Sequence, residues 1–291
     1  MLRLKHFIAM AFAGGAFGLA SSVQAASPSA QAFADEGFGS FITNSMVTSW
    51  VIAAILVIII RMAVKTPTLV PNRGQAVVEA IVEGVKGLIA PIVGNKMVMV
   101  TFPLLSALFI YILIQNWSGM IPFVGTVGWG YQTESGFYVV RELVRPGNAD
   151  LNTTLALAII SMCAWLYFIF RYAGPRLVYQ DIFGNKALKS EVPAGIYYPL
   201  FVIFFAVGLI EIISIIFRPV SLSFRLFGNV FGGENLLHAM MHMFPWGLPI
   251  PFYFLEILIG FVQALVFTLL VSVYIGLICN HEPEPGAEGH H

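Results

Sequence analysis

The chain has 291 residues, of which 58% are hydrophobic and only 10% charged, with fifteen basic side chains balancing fifteen acidic ones. A soluble domain is roughly a quarter charged, so the composition excludes a water-soluble globule and identifies a polytopic membrane protein, while the zero net charge says nothing about partners. Cys163 and Cys279 lie in or at the end of apolar segments, which excludes a disulfide framework.

The first 25 residues read as a secretory signal. Arg3, Lys5 and His6 form its basic start, 7–20 its apolar centre, and Val23-Gln24-Ala25 precedes the expected cut ahead of Ala26. The alternative is a retained first helix, for which the apolar centre is short. Residues 26–45 then form an external segment, 46–280 a membrane domain and 281–291 a polar cytoplasmic tail.

Five apolar blocks follow, at 46–60, 98–114, 151–170, 195–244 and 252–279. The loops after the first and third blocks carry Arg61, Lys65, Arg73, Lys86, Lys96, Arg171, Arg176, Lys186 and Lys189, which is nine of the fifteen Lys and Arg. The intervening polar loop 115–150 holds only Arg141 and Arg145. Basic loops stay in the cytoplasm, so the mature N-terminus is expected outside and the C-terminus inside. Within the first basic loop, apolar residues at 77, 78, 81, 82, 85, 88, 89 and 92 oppose Glu79, Glu83 and Lys86, an amphipathic pattern suited to a membrane-surface helix.

The fourth block is too long for one upright crossing. Fifty residues of helix span ~75 Å at 1.5 Å per residue, against a hydrocarbon core of ~30 Å. A long tilted hairpin is expected, with a break near Arg218-Pro219 and further breaks at Pro245, Pro249 and Pro251. The expected fold is therefore all-α: five or six membrane helices including this hairpin, plus one surface helix.

Arg225 lies inside that block, and an arginine at the bilayer centre costs roughly 2.5 to 3.5 kcal/mol on insertion scales. Guanidinium cannot shed its proton, so an anionic group must meet it; the alternative is snorkelling to the headgroups. At about 100° per residue, Arg218, Ser221, Arg225, Gly228, Asn229 and Gly232 share one side of a helix. Glu234 falls opposite Arg225, and His238 and His242 continue from it. Glu256, Gly260 and Gln263 form a second polar stripe, and Glu211, Ser214 and Arg218 a third. Glu234, His238 and His242 also have the spacing of a metal site along one helix face, ranked behind a water-lined path.

The stretch Ser221-Leu-Ser-Phe-Arg225-Leu-Phe-Gly-Asn229, followed by Gly233-Glu234, resembles the signature of the a subunit of rotary F-type ATP synthases. Pro71-Asn-Arg-Gly-Gln75 with Glu79, Gln115-Asn116-Trp-Ser-Gly-Met-Ile-Pro122, Ala149-Asp150-Leu-Asn152-Thr-Thr154 and Gln263-Ala-Leu-Val-Phe with Tyr274 are similar to other family motifs in the same order. The resemblance runs from about Met46 to Ile278.

It implies an ion-translocating stator subunit facing a ring of c subunits, each with a membrane-buried carboxyl. Arg225 would separate two aqueous half-channels and favour the ionised form of each arriving carboxyl. A close pair is worth about 4 kcal/mol at 4 Å and an effective dielectric of 20, and the membrane drive is about 2.3 kcal/mol per charge per 100 mV. Glu234, Glu256, His238 and His242 are candidates for the external half-channel, with Asn116, Asn229 and Gln263 in polar contact nearby, and Glu211 and Ser214 for the cytoplasmic exit. Relatives often pair an acid with a histidine at the positions of Glu234 and Glu256, and some carry an acid at Gly119; this chain has two glutamates and a glycine. The transported ion is a proton or sodium, a choice made mainly by the ion site on the ring, which this chain does not carry.

Peripheral-stalk b subunits, the catalytic head and the lipid bilayer are the further partners implied, in a bacterial inner membrane. No nucleic acid, cofactor or nucleotide-binding loop is expected, so the chain is not an enzyme by itself. A self-sufficient transporter using Arg225 to hold an anionic substrate is the alternative from another class; such folds show internal repeats, and no second copy of the arginine segment occurs. A membrane scaffold is a third, but it has no use for Arg225, Glu234 and Glu256 at depth.

Overall fold

A computed structural model describes residues 42–65, 67–121, 128–133, 136–174, 194–243, 247 and 249–279. The signal segment, the tail, most of the external segment and the side chain of His242 lie outside the described residues. Six long helices follow the apolar pattern: α1 (Asn44–Ala63), α2 (Arg73–Val93), α3 (Asn95–Ser118), α4 (Leu151–Phe168), α5 (Ala194–Met243) and α6 (Pro249–Cys279). A π-helical turn, Ile169–Ala173, prolongs α4. All except α2 contain a stretch long and apolar enough to cross a membrane.

Local chemistry fixes where these helices begin. Thr43 caps α1 by accepting from the Met46 N–H at 3.3 Å, and Asn72 caps α2 by accepting from the Gln75 N–H at 2.8 Å. Asp150 does the same for α4 through the Asn152 N–H at 3.1 Å. Only the polar end of α1 is packed: Asn44, Ser45, Thr48 and Ser49 are buried, whereas Trp50, Val51, Ile55, Ile58, Ile59 and Met62 are exposed. Polar side in and apolar side out is the reverse of a water-soluble fold and suits a lipid-facing helix.

α2 bears out the surface-helix pattern. Gln75, Val85, Ile89 and Val93 form its buried stripe, while Val77, Ile81 and Leu88 leave a second apolar stripe uncovered. Gln75 also donates to the Thr68 carbonyl at 2.9 Å and to Glu79 at 2.7 Å, tying the preceding loop to the first turn.

Three expectations need correction. The all-α class holds, but the polar loop after α3 is not plain loop: it contains an antiparallel hairpin, β1 (Gly128–Thr133) with β2 (Gly136–Glu142). Aromatic and β-branched residues in both segments favour strand over loop. α5 runs unbroken for 50 residues through Arg218-Pro219; membrane helices tolerate an interior proline because neighbouring groups serve the freed carbonyl. Pro249 and Pro251 do not break the chain but occupy the first turn of α6, where the missing N–H has no helical partner to lose. Pro245 lies outside the described residues.

The contacts divide the chain into two units. The first comprises Met1–Val82, Ala107–Thr154 and Phe224–Phe267; the second comprises Glu83–Ser106, Leu155–Ser223 and Thr268–His291. Within the first, Ile112, Leu226, Val230, Ala264 and Phe267 are buried, and Phe109 meets Phe261 edge-on at 6.0 Å. Within the second, Ile89, Leu105, Trp165, Val271 and Ile275 are buried.

Candidate functional site

The first unit gathers most of the polar residues singled out in the sequence. α5 brings Asn229 and Glu234, α6 brings Glu256 and Gln263, and the end of α3 brings Asn116. Asn229 Nδ2 donates to Gln263 Oε1 at 2.6 Å, a direct amide–amide hydrogen bond between the two longest helices. Asn116 Nδ2 donates to the Gly260 carbonyl at 2.9 Å, and Trp117 Nε1 to the Ile257 carbonyl at 3.2 Å. Those carbonyls already serve the α6 ladder and accept through their second lone pair, so α3 and α6 are pinned side by side at depth.

Glu256 reaches across to α5. A Cβ added at the buried Gly233 would collide with both carboxylate oxygens of Glu256. The carboxylate therefore rests on the α5 backbone at Gly233, and a side chain there would have to move it aside. Glu234 is half-buried, and its Oε2 has no hydrogen-bond partner among the described residues. The charges acting on it include Arg145 and Glu142. Buried polar atoms without a protein partner recur in this unit at Ser49 Oγ, Asn148 Oδ1 and Gln263 Nε2.

A buried network beneath this cluster was not legible from residue type alone. Gln115 Oε1 accepts from the Gly147 N–H at 3.1 Å, and Asn148 Nδ2 donates to Asn116 Oδ1 at 2.7 Å. Ser45 Oγ donates to Asp150 at 2.9 Å, and the Arg145 N–H donates to Thr48 Oγ1 at 3.2 Å. The only signal was the density of amides and the aspartate in Gln115-Asn116 and 148–152. At Gly119 a Cβ would meet Pro146 Cγ at 3.1 Å, so an acid there needs the proline to yield.

Arg225 stands apart from these partners. It is exposed, as are Ser221, Phe224, Gly228 and Gly232, and a Cβ on either glycine would meet nothing within 4 Å. The stripe read in the sequence therefore splits. Asn229 turns inward to Gln263, while Arg225 and the two glycines face outward along α5. No acidic side chain among the described residues pairs with Arg225.

Other candidates are less engaged. His238 is half-buried one turn beyond Glu234. No group of three metal-capable side chains occurs among the described residues, and the metal alternative also needs His242, whose side chain is not among them. In the second unit Glu211 is half-buried and Ser214 exposed.

A long membrane helix showing an uncovered arginine on one face and carboxyl-bearing contacts to a second helix on another defines a membrane subunit that handles charge. The profile of a family described as ATP synthase A chain matches residues 46–276. The chain belongs to that family and is a membrane stator subunit of an F-type ATP synthase. Its place is in the membrane, in a complex with a c-ring and other subunits. The transporter and scaffold alternatives fall with that assignment.

Proposed function

We infer that this chain forms the stationary side of an ion path, with two half-channels separated by Arg225 and a rotating ring carrying the ion between them. The carrying observation is the uncovered Arg225 on a membrane-spanning face of α5. A guanidinium left open at that depth calls for an anion supplied from outside the chain. The ring's carboxyl meets that need, and the open space over Gly228 and Gly232 admits a close helix.

The two ends of the path follow from the polar groups. Glu234, Glu256, Asn229, Gln263 and Asn116 belong to the external half-channel, where the buried unserved atoms are ones that water satisfies. His238 and His242 extend it toward the end of α5, and Glu211 and Ser214 line the cytoplasmic exit. Glu256 reaches the α5 backbone at Gly233, next in sequence to Glu234, so Glu234 and Glu256 act at neighbouring points of the path. The ion is a proton or sodium, a choice made mainly by the ion site on the ring, and the chain is non-catalytic, leaving nucleotide chemistry to the head. Its b-subunit partners and the bacterial inner membrane, with the N-terminus outside, complete the assignment.

The test is ATP-driven acidification of vesicles carrying the whole complex, with Arg225→Ala compared to wild type and assembly checked by co-purification. Pumping should disappear with assembly intact; normal pumping in the variant would sink the reading.

A further inference from the structure

A second arginine on α5 has quite different surroundings. Arg218 is half-buried, with its guanidinium carbon 4.5 Å from the centre of the Tyr274 ring and 5.6 Å from that of Trp165. Trp165 is buried and donates its indole N–H to the Tyr274 backbone carbonyl at 2.8 Å, which ties the indole to the helix that carries the second ring. No acidic side chain among the described residues pairs with Arg218.

The choice of partner matters electrostatically. An aromatic face attracts a cation through its quadrupole but carries no net charge. A carboxylate would hold the guanidinium and cancel its field; two rings hold it and leave the field in place. Arginine suits this role because it stays charged and stacks flat on aromatic faces.

We propose that Arg218, caged by Trp165 and Tyr274 and paired with no acidic side chain among the described residues, is a second cation of the ion path, acting on the ring carboxyl at the side of Arg225 away from Glu234. The proposal rests on the ion-path reading above. Seven residues of helix put Arg218 ~10 Å along α5 from Arg225, within reach of a carboxyl approaching or leaving it. A positive charge favours the ionised carboxyl, so Arg218 eases release of the ion on its own side and resists uptake there. At ~10 Å and an effective dielectric of 20 the expected shift is about one pH unit.

Among the described residues few other groups compete for that effect. Glu211 and Arg225 are the charged residues flanking Arg218 along α5. On the α4 stretch Cys163, Tyr167, Arg171 and Tyr172 are all exposed, unlike the buried Trp165. The ionisable group of α6 facing Arg218 is Tyr274 itself.

The experiment uses the complete complex in vesicles, with pumping rate followed against pH on the side bearing the catalytic head. Arg218→Gln should move the alkaline limb about one unit upward, since losing a nearby positive charge makes the carboxyl hold its proton to higher pH. Arg218→Lys, which keeps a cation against the rings, should leave that limb nearer to wild type than either neutral variant does. Arg218→Met, neutral and able to pack on the same rings, should shift the limb as Arg218→Gln does. An unmoved limb in either neutral variant overturns the proposal, whatever happens to the rate. So does failure of both to assemble, which would make Arg218 a folding residue. Arg225→Ala runs in parallel: normal pumping there defeats the ion-path reading itself, a result distinct from failure of the Arg218 shift.

Discussion

Glycine 233 and the two glycines at 228 and 232 differ by one observation, and that difference makes opposite predictions. A methyl at Gly233 meets the Glu256 carboxylate, whereas a methyl at Gly228 or Gly232 meets nothing in this chain. Gly233→Ala should therefore displace Glu256 and lower ATP-driven pumping about tenfold or more, on the scale of a misplaced reacting group. Gly228→Ala should raise the thermal stability of the isolated chain, since alanine in a helix gains up to about 1 kcal/mol over glycine. On the proposed ion path the same change should slow pumping in the complex, because its methyl enters the space the ring would occupy. Melting curves of the chain and pumping by the complex separate the two effects. The sequence revealed Arg225, Glu234 and Glu256 because charge at depth is costly and hence visible. It could not show that Asn229 turns away from Arg225 toward Gln263. Positions four apart differ by only ~40° around a helix, and packing decides which of them faces inward.

The helices themselves were legible because lipid imposes a simple rule: a long apolar run and a satisfied backbone. α1, α3, α4 and α6 begin within a few residues of the apolar blocks, and α2 shows the amphipathic stripe. Proline was the misleading signal, since Pro219 and Pro251 act as breakers in water but not where neighbours or a helix start absorb the lost donor. The hairpin was missed because a polar segment with interspersed aromatic residues gives no extended alternation. At this scale the telling residue is Asp150, which caps α4 and accepts from Ser45 on α1. Asp150→Ala should cost about 1–2 kcal/mol through the lost cap alone and reduce the yield of assembled complex. Asp150→Asn retains the capping oxygen and should recover most of that yield, as judged by the amount of complex co-purified per unit of membrane.

For the molecule as a whole, the proposed ion path makes the site one that another subunit completes. Arg225 offers charge on an uncovered face and carries no proton of its own, so the chain alone should give vesicles no proton conductance above the lipid background. Addition of the ring should restore it, as followed with a pH-sensitive dye under an imposed potential. Conductance by the chain alone would mean that the two half-channels join without the ring, contrary to the role given to Arg225.

The unbroken course of α5 also sets what kinds of sequence change a lineage of such chains can survive. Arg218, Arg225, Gly233 and Glu234 belong to a single helix with no loop between them. One residue gained or lost there would swing everything downstream by about 100° and slide it by ~1.5 Å, turning the arginine face from its ring and the glutamate from its neighbour together. Replacements can be tried one at a time, but a change of length cannot. Over descent this stretch should therefore keep its residue count even where its letters drift, while the connections between helices take up the insertions and deletions.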